Sequence, residues 1–239
     1  MQKIIKGLLI GLLALSIASC SKTDNYPGPN AAFKGRILDK TDPKNGNFLT
    51  ETAGIQIKLE ELSWSATPSP QTIPSKDDGT FEDTQLFAGH YRVTPMGGPF
   101  WPVAGVELDI NKGNNTHDIA VTPYLKIVNL AHRFEGTTLV MTFKIQAPVT
   151  ENLPRLLDVQ SFVNVTKYVG NGATIPQYTS DKTMQKIEAN WSDAIAQQTF
   201  EIRVPDIKAG RVFFARVGAR VDDSYKQYNF SEEIQVQLP

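Results

Sequence analysis

The sequence predicts an all-β protein built as two β-sandwich domains in tandem. Three observations carry this. Apolar residues recur at every second position in many short runs, the mark of strands with one buried face. Glycine-containing turn signals separate those runs. No stretch of the 239 residues shows the period of a long amphipathic helix. The expected domains are residues 31–122 and residues 123–239, each of a size suited to one sandwich.

The elements follow in chain order. Ile55, Ile57 and Leu59 alternate with Gln56, Lys58 and Glu60, and Val106, Leu108 and Ile110 alternate with Glu107 and Asp109. In the second half, Leu139, Met141, Phe143 and Ile145 form one face, and Phe200, Ile202 and Val204 another. Phe213, Ala215, Val217, Ala219 and Val221 form the longest alternating run, and Ile234, Val236 and Leu238 close the chain. Turns are predicted at Lys44-Asn45-Gly46, Asp77-Asp78-Gly79, Asn111-Lys112-Gly113 and Lys208-Ala209-Gly210. Asp181 to Ala196 fits a short helix, or, through Ile187, Ala189 and Trp191, a strand. The domain boundary is placed at Thr122-Pro123-Tyr124, and the second sandwich is expected to be of immunoglobulin or fibronectin III type.

The chain opens with MQKIIKGLLIGLLALSIASC, two lysines and then an uncharged apolar run too short for a stable membrane span. Residues 1–19 are therefore expected to be a signal peptide. Ile17-Ala18-Ser19-Cys20 resembles the bacterial lipobox, which implies cleavage before Cys20 and lipidation of that residue. Residues 20–30, polar and rich in Pro and Gly, read as a tether. The expected location is the outer membrane, lipid-anchored at the cell surface. Cys20 is the only cysteine, so no disulfide can form within one chain. Losing Lys3 and Lys6 with the leader leaves a slightly acidic chain, and no basic cluster points to nucleic acid.

Motifs for chemistry are missing. His90, His117 and His132 form no metal-binding pair at helical spacing. Neither a G-x-S-x-G elbow nor a phosphate-cradling loop occurs. Asp77-Asp78-Gly79-Thr80-Phe81-Glu82-Asp83 is acidic, but oxygen ligands fall at the wrong positions for a calcium loop. No catalytic residue, metal or cofactor is expected. A hydrolase would instead need two facing carboxylates, which geometry sets and spacing does not.

Aromatic rings are the remaining candidates, because a flat ring covers the apolar C–H face of a pyranose. Trp64, Trp101, Tyr168 and Tyr178 are the candidate ligand contacts, and Trp191 is expected inside. Trp64 shares parity with polar Gln56, Lys58 and Glu60, so it is expected to point away from the core. Tyr168 and Tyr178 flank the Gly170-Asn171-Gly172 loop. In Gly97-Gly98-Pro99-Phe100-Trp101-Pro102 the prolines favour an extended chain, where neighbouring side chains point to opposite sides. Phe100 is thus expected in the core, with Trp101 exposed or in a domain seam.

Several segments carry a family resemblance. Gly35-Arg36-Ile37-Leu38-Asp39, Asp78-Gly79-Thr80-Phe81 and Phe87-Ala88-Gly89-His90-Tyr91-Arg92-Val93 resemble the transthyretin-like, carboxypeptidase regulatory-like sandwich. Together with the lipobox, Asp24-Asn25-Tyr26 and the GPFWPV segment, the chain resembles the Bacteroidetes lipoproteins of domain-of-unknown-function family 3823. That resemblance implies a non-catalytic accessory lipoprotein in a starch-utilisation-type system, beside an outer-membrane transporter complex. Its implied partners are glycan, that transporter and the membrane holding its lipid. The alternative expectation is an adhesion or assembly protein that binds other proteins through its sandwiches, which an exposed edge strand in the second domain would favour.

Overall fold

A computed structural model describes residues 27–44 and 46–239. The expected leader, the expected lipidation site Cys20, Asp24-Asn25-Tyr26 and Asn45 lie outside the described residues. The first unit holds β1 (Ala31–Asp39), β2 (Gln56–Glu61), β3 (Gln71–Pro74), β4 (Thr80–Leu86), β5 (Gly89–Met96), β6 (Val106–Ile110), β7 (Gly113–Thr116) and β8 (Ile119–Val121). One sheet has the order β4-β1-β7, with β8 also on β1, and the other runs β3-β2-β5-β6. β1 pairs antiparallel with β4 but parallel with β7 and β8, which completes a transthyretin-like sandwich.

The alternating residues meet between these sheets. Phe33, Ile37, Ile57, Leu59, Phe81, Tyr91 and Val93 are buried together. Removing such side chains from water is the main source of stability here. Asp78 and Gly79 make the turn into β4. Asp78 Oδ1 accepts from the Thr80 N–H and hydroxyl, and Gly79 has φ +78°. One burial expectation falls short although the register holds, with Val106 paired to the core residue Val93. Val106 is 44% exposed, although its alternation with Leu108 and Ile110 put it on the core face. β6 ends its sheet and, among the described residues, pairs only with β5, which leaves Val106 at an open edge.

The second unit holds β9 (Lys126–Glu135), β10 (Thr138–Gln146), β11 (Leu156–Asn164), β12 (Met184–Ala189), β13 (Phe200–Val204), β14 (Val212–Val221), β15 (Tyr228–Phe230) and β16 (Ile234–Gln237). Its sheets are β13-β10-β9 and β12-β11-β14-β15, with β16 also on β14, the arrangement of a fibronectin III-like sandwich. Leu139, Met141, Phe143, Phe200, Ile202, Phe213, Ala215 and Val217 fill its core, as their parity predicts. The Asp181–Ala196 stretch satisfies both of its expected readings in turn. A 3-10 turn at Asp181–Thr183, capped by Ser180, leads into β12, and a single helical turn, α1 (Asp193–Gln197), follows with Ser192 as its cap.

Strand direction gives the first sandwich two distinct ends. β1 starts at Ala31 and finishes at Asp39, against the second domain. At ordinary strand rise the nine residues of β1 separate these ends by roughly 27 Å.

Candidate functional site

The seam between the sandwiches is built on the GGPFWP segment. Phe100 is 5% exposed and belongs to the first core, where its ring meets Phe48 edge-on at 5.7 Å. Trp101 turns the other way and packs against the second core, with its ring 5.1 Å from Tyr124. The two neighbouring rings therefore plug two different cores, as the extended backbone requires. The backbone N–H of Trp101 donates to the Thr122 carbonyl and that of Tyr124 to the Pro99 carbonyl, so the segment pairs with the interdomain linker. A Cβ on Gly98 would fall 2.7 Å from Ile55 Cγ1, which restricts that position to glycine.

Two buried polar side chains of the second domain lock the seam. Asn229 on β15 donates from Nδ2 to the Pro99 carbonyl at 2.9 Å and accepts the Leu125 N–H at 3.1 Å. Arg216 on β14 is 4% exposed and has no carboxylate within ion-pair distance among the described residues. Its Nη1 donates to the carbonyls of Thr50 at 2.9 Å and Val169 at 3.3 Å, and its Nε to that of Ser231 at 3.2 Å. The guanidinium also lies 4.1 Å from the centre of the Phe230 ring. Burial pushes its pKa down to about 10, which leaves it charged at neutral pH. Nearby, the Gly172 N–H donates to Glu51 Oε2 at 2.8 Å, and a Cβ on Gly170 would fall 2.6 Å from Glu51 Cβ. The glycine loop is thus spent on close contact between domains.

Along this seam runs a groove of about 640 Å³. The β1–β2 loop, the start of β9 and the β15–β16 connection form its walls. Half-buried Leu49, Ile127, Leu130 and Ile234 give it an apolar floor. Asp42, Asn47, Asn129 and Glu232 stand at its polar rim. Lys126 crosses one end, with Nζ 2.8 Å from Asp39 Oδ2 and 3.1 Å from the Thr41 hydroxyl. An apolar floor with amide and carboxylate groups above it can cover sugar C–H faces and bond hydroxyls.

Two of the groove's carboxylates are held in local bonds. Asp39 is engaged by Lys126 and by the backbone N–H and hydroxyl of Thr41. Asp42 accepts the N–H groups of Lys44 and Gly46, and the Lys44 bond foremost holds its carboxyl below the usual range. A general acid for glycoside cleavage needs the opposite shift.

The structure does not bring the sequence candidates together. Trp64 is 85% exposed, in the loop between β2 and β3 at the end of the first sandwich away from the seam. Its outward position follows from leaving the sheet after Glu61 rather than from strand parity. Tyr168 is 52% exposed beside Lys167, whose Nζ lies 5.2 Å from its ring centre. Tyr178 corrects the expectation of a reachable ring. It is 2% exposed, its hydroxyl donates to the Asp206 carbonyl, and its ring meets Phe213 edge-on at 5.4 Å. The Ile175–Thr179 turn folds it back into the core. Trp191 is partly buried against that same core.

Two family models match the chain. The model described as "Protein of unknown function (DUF3823) N-terminal domain" matches residues 31–122, and the DUF3823 C-terminal domain model matches residues 125–235. The chain belongs to the DUF3823 family. Solved structures agree in fold. A DUF3823 family protein from Bacteroides uniformis matches with TM-score 0.76 at 22% identity, covering 88% of this chain and 100% of that one. A second protein from the same species, described as a "putative carbohydrate binding protein", matches with TM-score 0.74 at 22% identity and the same coverage. A DUF3823 family protein from Parabacteroides merdae matches with TM-score 0.66 at 19% identity, covering 88% of this chain and 100% of that one. No curated protein matches. The DUF3823 models describe no catalytic activity.

Proposed function

We propose that this DUF3823 protein is a non-catalytic, lipid-anchored surface protein that binds glycan in the groove at its domain seam, as an accessory to glycan uptake. The observation that carries this reading is the groove itself, with its apolar floor and its amide and carboxylate rim on a seam locked by Arg216 and Asn229. A site on locked elements loses little freedom when ligand binds. The description of one structural relative as a carbohydrate binding protein supports the same reading. So do the lipobox-like Cys20 and the tether, which suit a protein held at a membrane.

Protein binding by strand addition fits the β9 and β12 edges less well. β9 is an edge strand, but its pairing slips at a bulge where Asn129 has φ +55°. At the edge of the other sheet, β12 pairs irregularly and Glu188 has φ +47°. Bent, charged edges resist added strands. A glycan array probed with the soluble chain tests the function, and mass spectrometry of the protein from its native membrane tests lipid on Cys20. Saturable binding to a polysaccharide is the expected result. Silence across the array overturns glycan recognition.

A further inference from the structure

The end of the first sandwich that receives the tether also carries its most exposed tryptophan. Asn30, where the tether meets β1, is fastened there. Its N–H donates to the Leu86 carbonyl, its Oδ1 accepts the Ala88 N–H, and its carbonyl accepts the Gly113 N–H. Phe87, between Leu86 and Ala88, is 44% exposed. The Trp64 loop adjoins the same turn. The His90 N–H donates to the Ser63 hydroxyl at 2.8 Å, and the Leu62 N–H donates to the His90 carbonyl. Asn30, Phe87 and Trp64 are therefore gathered at one end of the domain.

We propose that this end docks on the lipid bilayer, with Trp64 seated at headgroup level. Three observations favour a membrane over other partners. From Cys20 to Asn30 is ten residues, so a membrane holding Cys20 lies within about 35 Å of this end at full extension. Tryptophan, with an apolar body and one N–H, concentrates at the membrane interface. The segment around it, Leu62 to Ser75, has no charged residue and is rich in Ser, Thr and Pro, and the charges beside it are already engaged, Glu61 by the Ser63 N–H and His90 by Asp109. The first sandwich then acts as a spacer, with its seam end and the groove facing away from the membrane. This inference rests on the lipid anchor of the proposed function but not on glycan binding.

The test uses the chain from Cys20 to Pro239, coupled through its single thiol to a maleimide lipid in phosphatidylethanolamine/phosphatidylglycerol vesicles. Coupling by this route makes the result independent of native lipidation. Tryptophan emission is read with doxyl labels at shallow and deep acyl positions. The expected result is a blue shift and quenching, stronger from the shallow label, both lost in Trp64→Ala while the emission of Trp101 and Trp191 stays unquenched. Emission that neither label quenches overturns the proposal. So does a Trp64 signal that responds to soluble glycan and ignores the vesicles.

Discussion

Arg216→Met removes the charge that bridges the domains and keeps most of the side-chain volume. Burial lowers the Arg216 pKa well below the usual guanidinium range, to about 10, a net cost to the charged form of about 3 kcal/mol. Opposing it are bonds to the carbonyls of Thr50, Val169 and Ser231, each worth about 1.5–3 kcal/mol from a charged donor. The Phe230 contact adds about 2 kcal/mol when desolvated. Methionine relieves the desolvation but leaves buried acceptors bare, at about 1–3 kcal/mol each. Three bare acceptors and the lost ring contact, less the relieved desolvation, give an expected net loss of about 2–8 kcal/mol. Because Thr50 belongs to the first domain, the variant should also uncouple the sandwiches. Urea unfolding followed by tryptophan emission should show one transition for the natural chain and two for the variant. A variant with an unchanged midpoint and a single transition would refute the reasoning.

Tyr228→Phe removes the hydroxyl that donates to Asp158 Oδ1 at 2.8 Å. Asp158 keeps its pair with Arg220, so the expected loss is about 1–3 kcal/mol by urea unfolding, and no loss would mean that Arg220 alone satisfies the carboxylate. His90 Nδ1 lies 2.8 Å from Asp109 Oδ1, a bond that raises its pKa above 6.5. The folded state thus holds this proton more tightly than the unfolded chain does. The stabilisation is full below pH 6.5 and is lost as pH rises through the folded value. An NMR titration of the His90 ring should place its midpoint above 6.5, and Asp109→Asn should bring it down; a midpoint at or below 6.5 in the natural chain contradicts the pairing.

The parts of this fold legible in the sequence are those set by local periodicity. Ile55 to Leu59, Leu139 to Ile145 and Phe213 to Val221 alternate because one face of each strand meets a core, and the structure buries those faces. The split of Phe100 from Trp101 was legible for a similar reason, since two prolines force extended chain around them. Tyr178 was not, because a turn outside any strand sets its direction and parity says nothing there. Nor was the groove. Its walls come from residues 39–49, 123–130 and 229–234, and no local pattern links segments so far apart. The β1–β2 loop offered only a faint signal, the run of Asp39, Thr41, Asp42 and Asn47, whose side chains suit turns as well as ligands.

Calorimetric titration with the polysaccharide selected on the array tests the central claim most directly when three chains are compared. They are the natural chain, the groove variant Asn47→Ala/Glu232→Ala and the distal variant Trp64→Ala. All three should unfold at similar urea concentrations, since Glu232 and Trp64 are exposed and Asn47 is half-buried. The account predicts that the natural chain and Trp64→Ala bind alike, while the groove variant loses at least tenfold in affinity, about 1.4 kcal/mol. Undiminished binding by the groove variant, or binding lost with Trp64 instead, would contradict a glycan site at the domain seam.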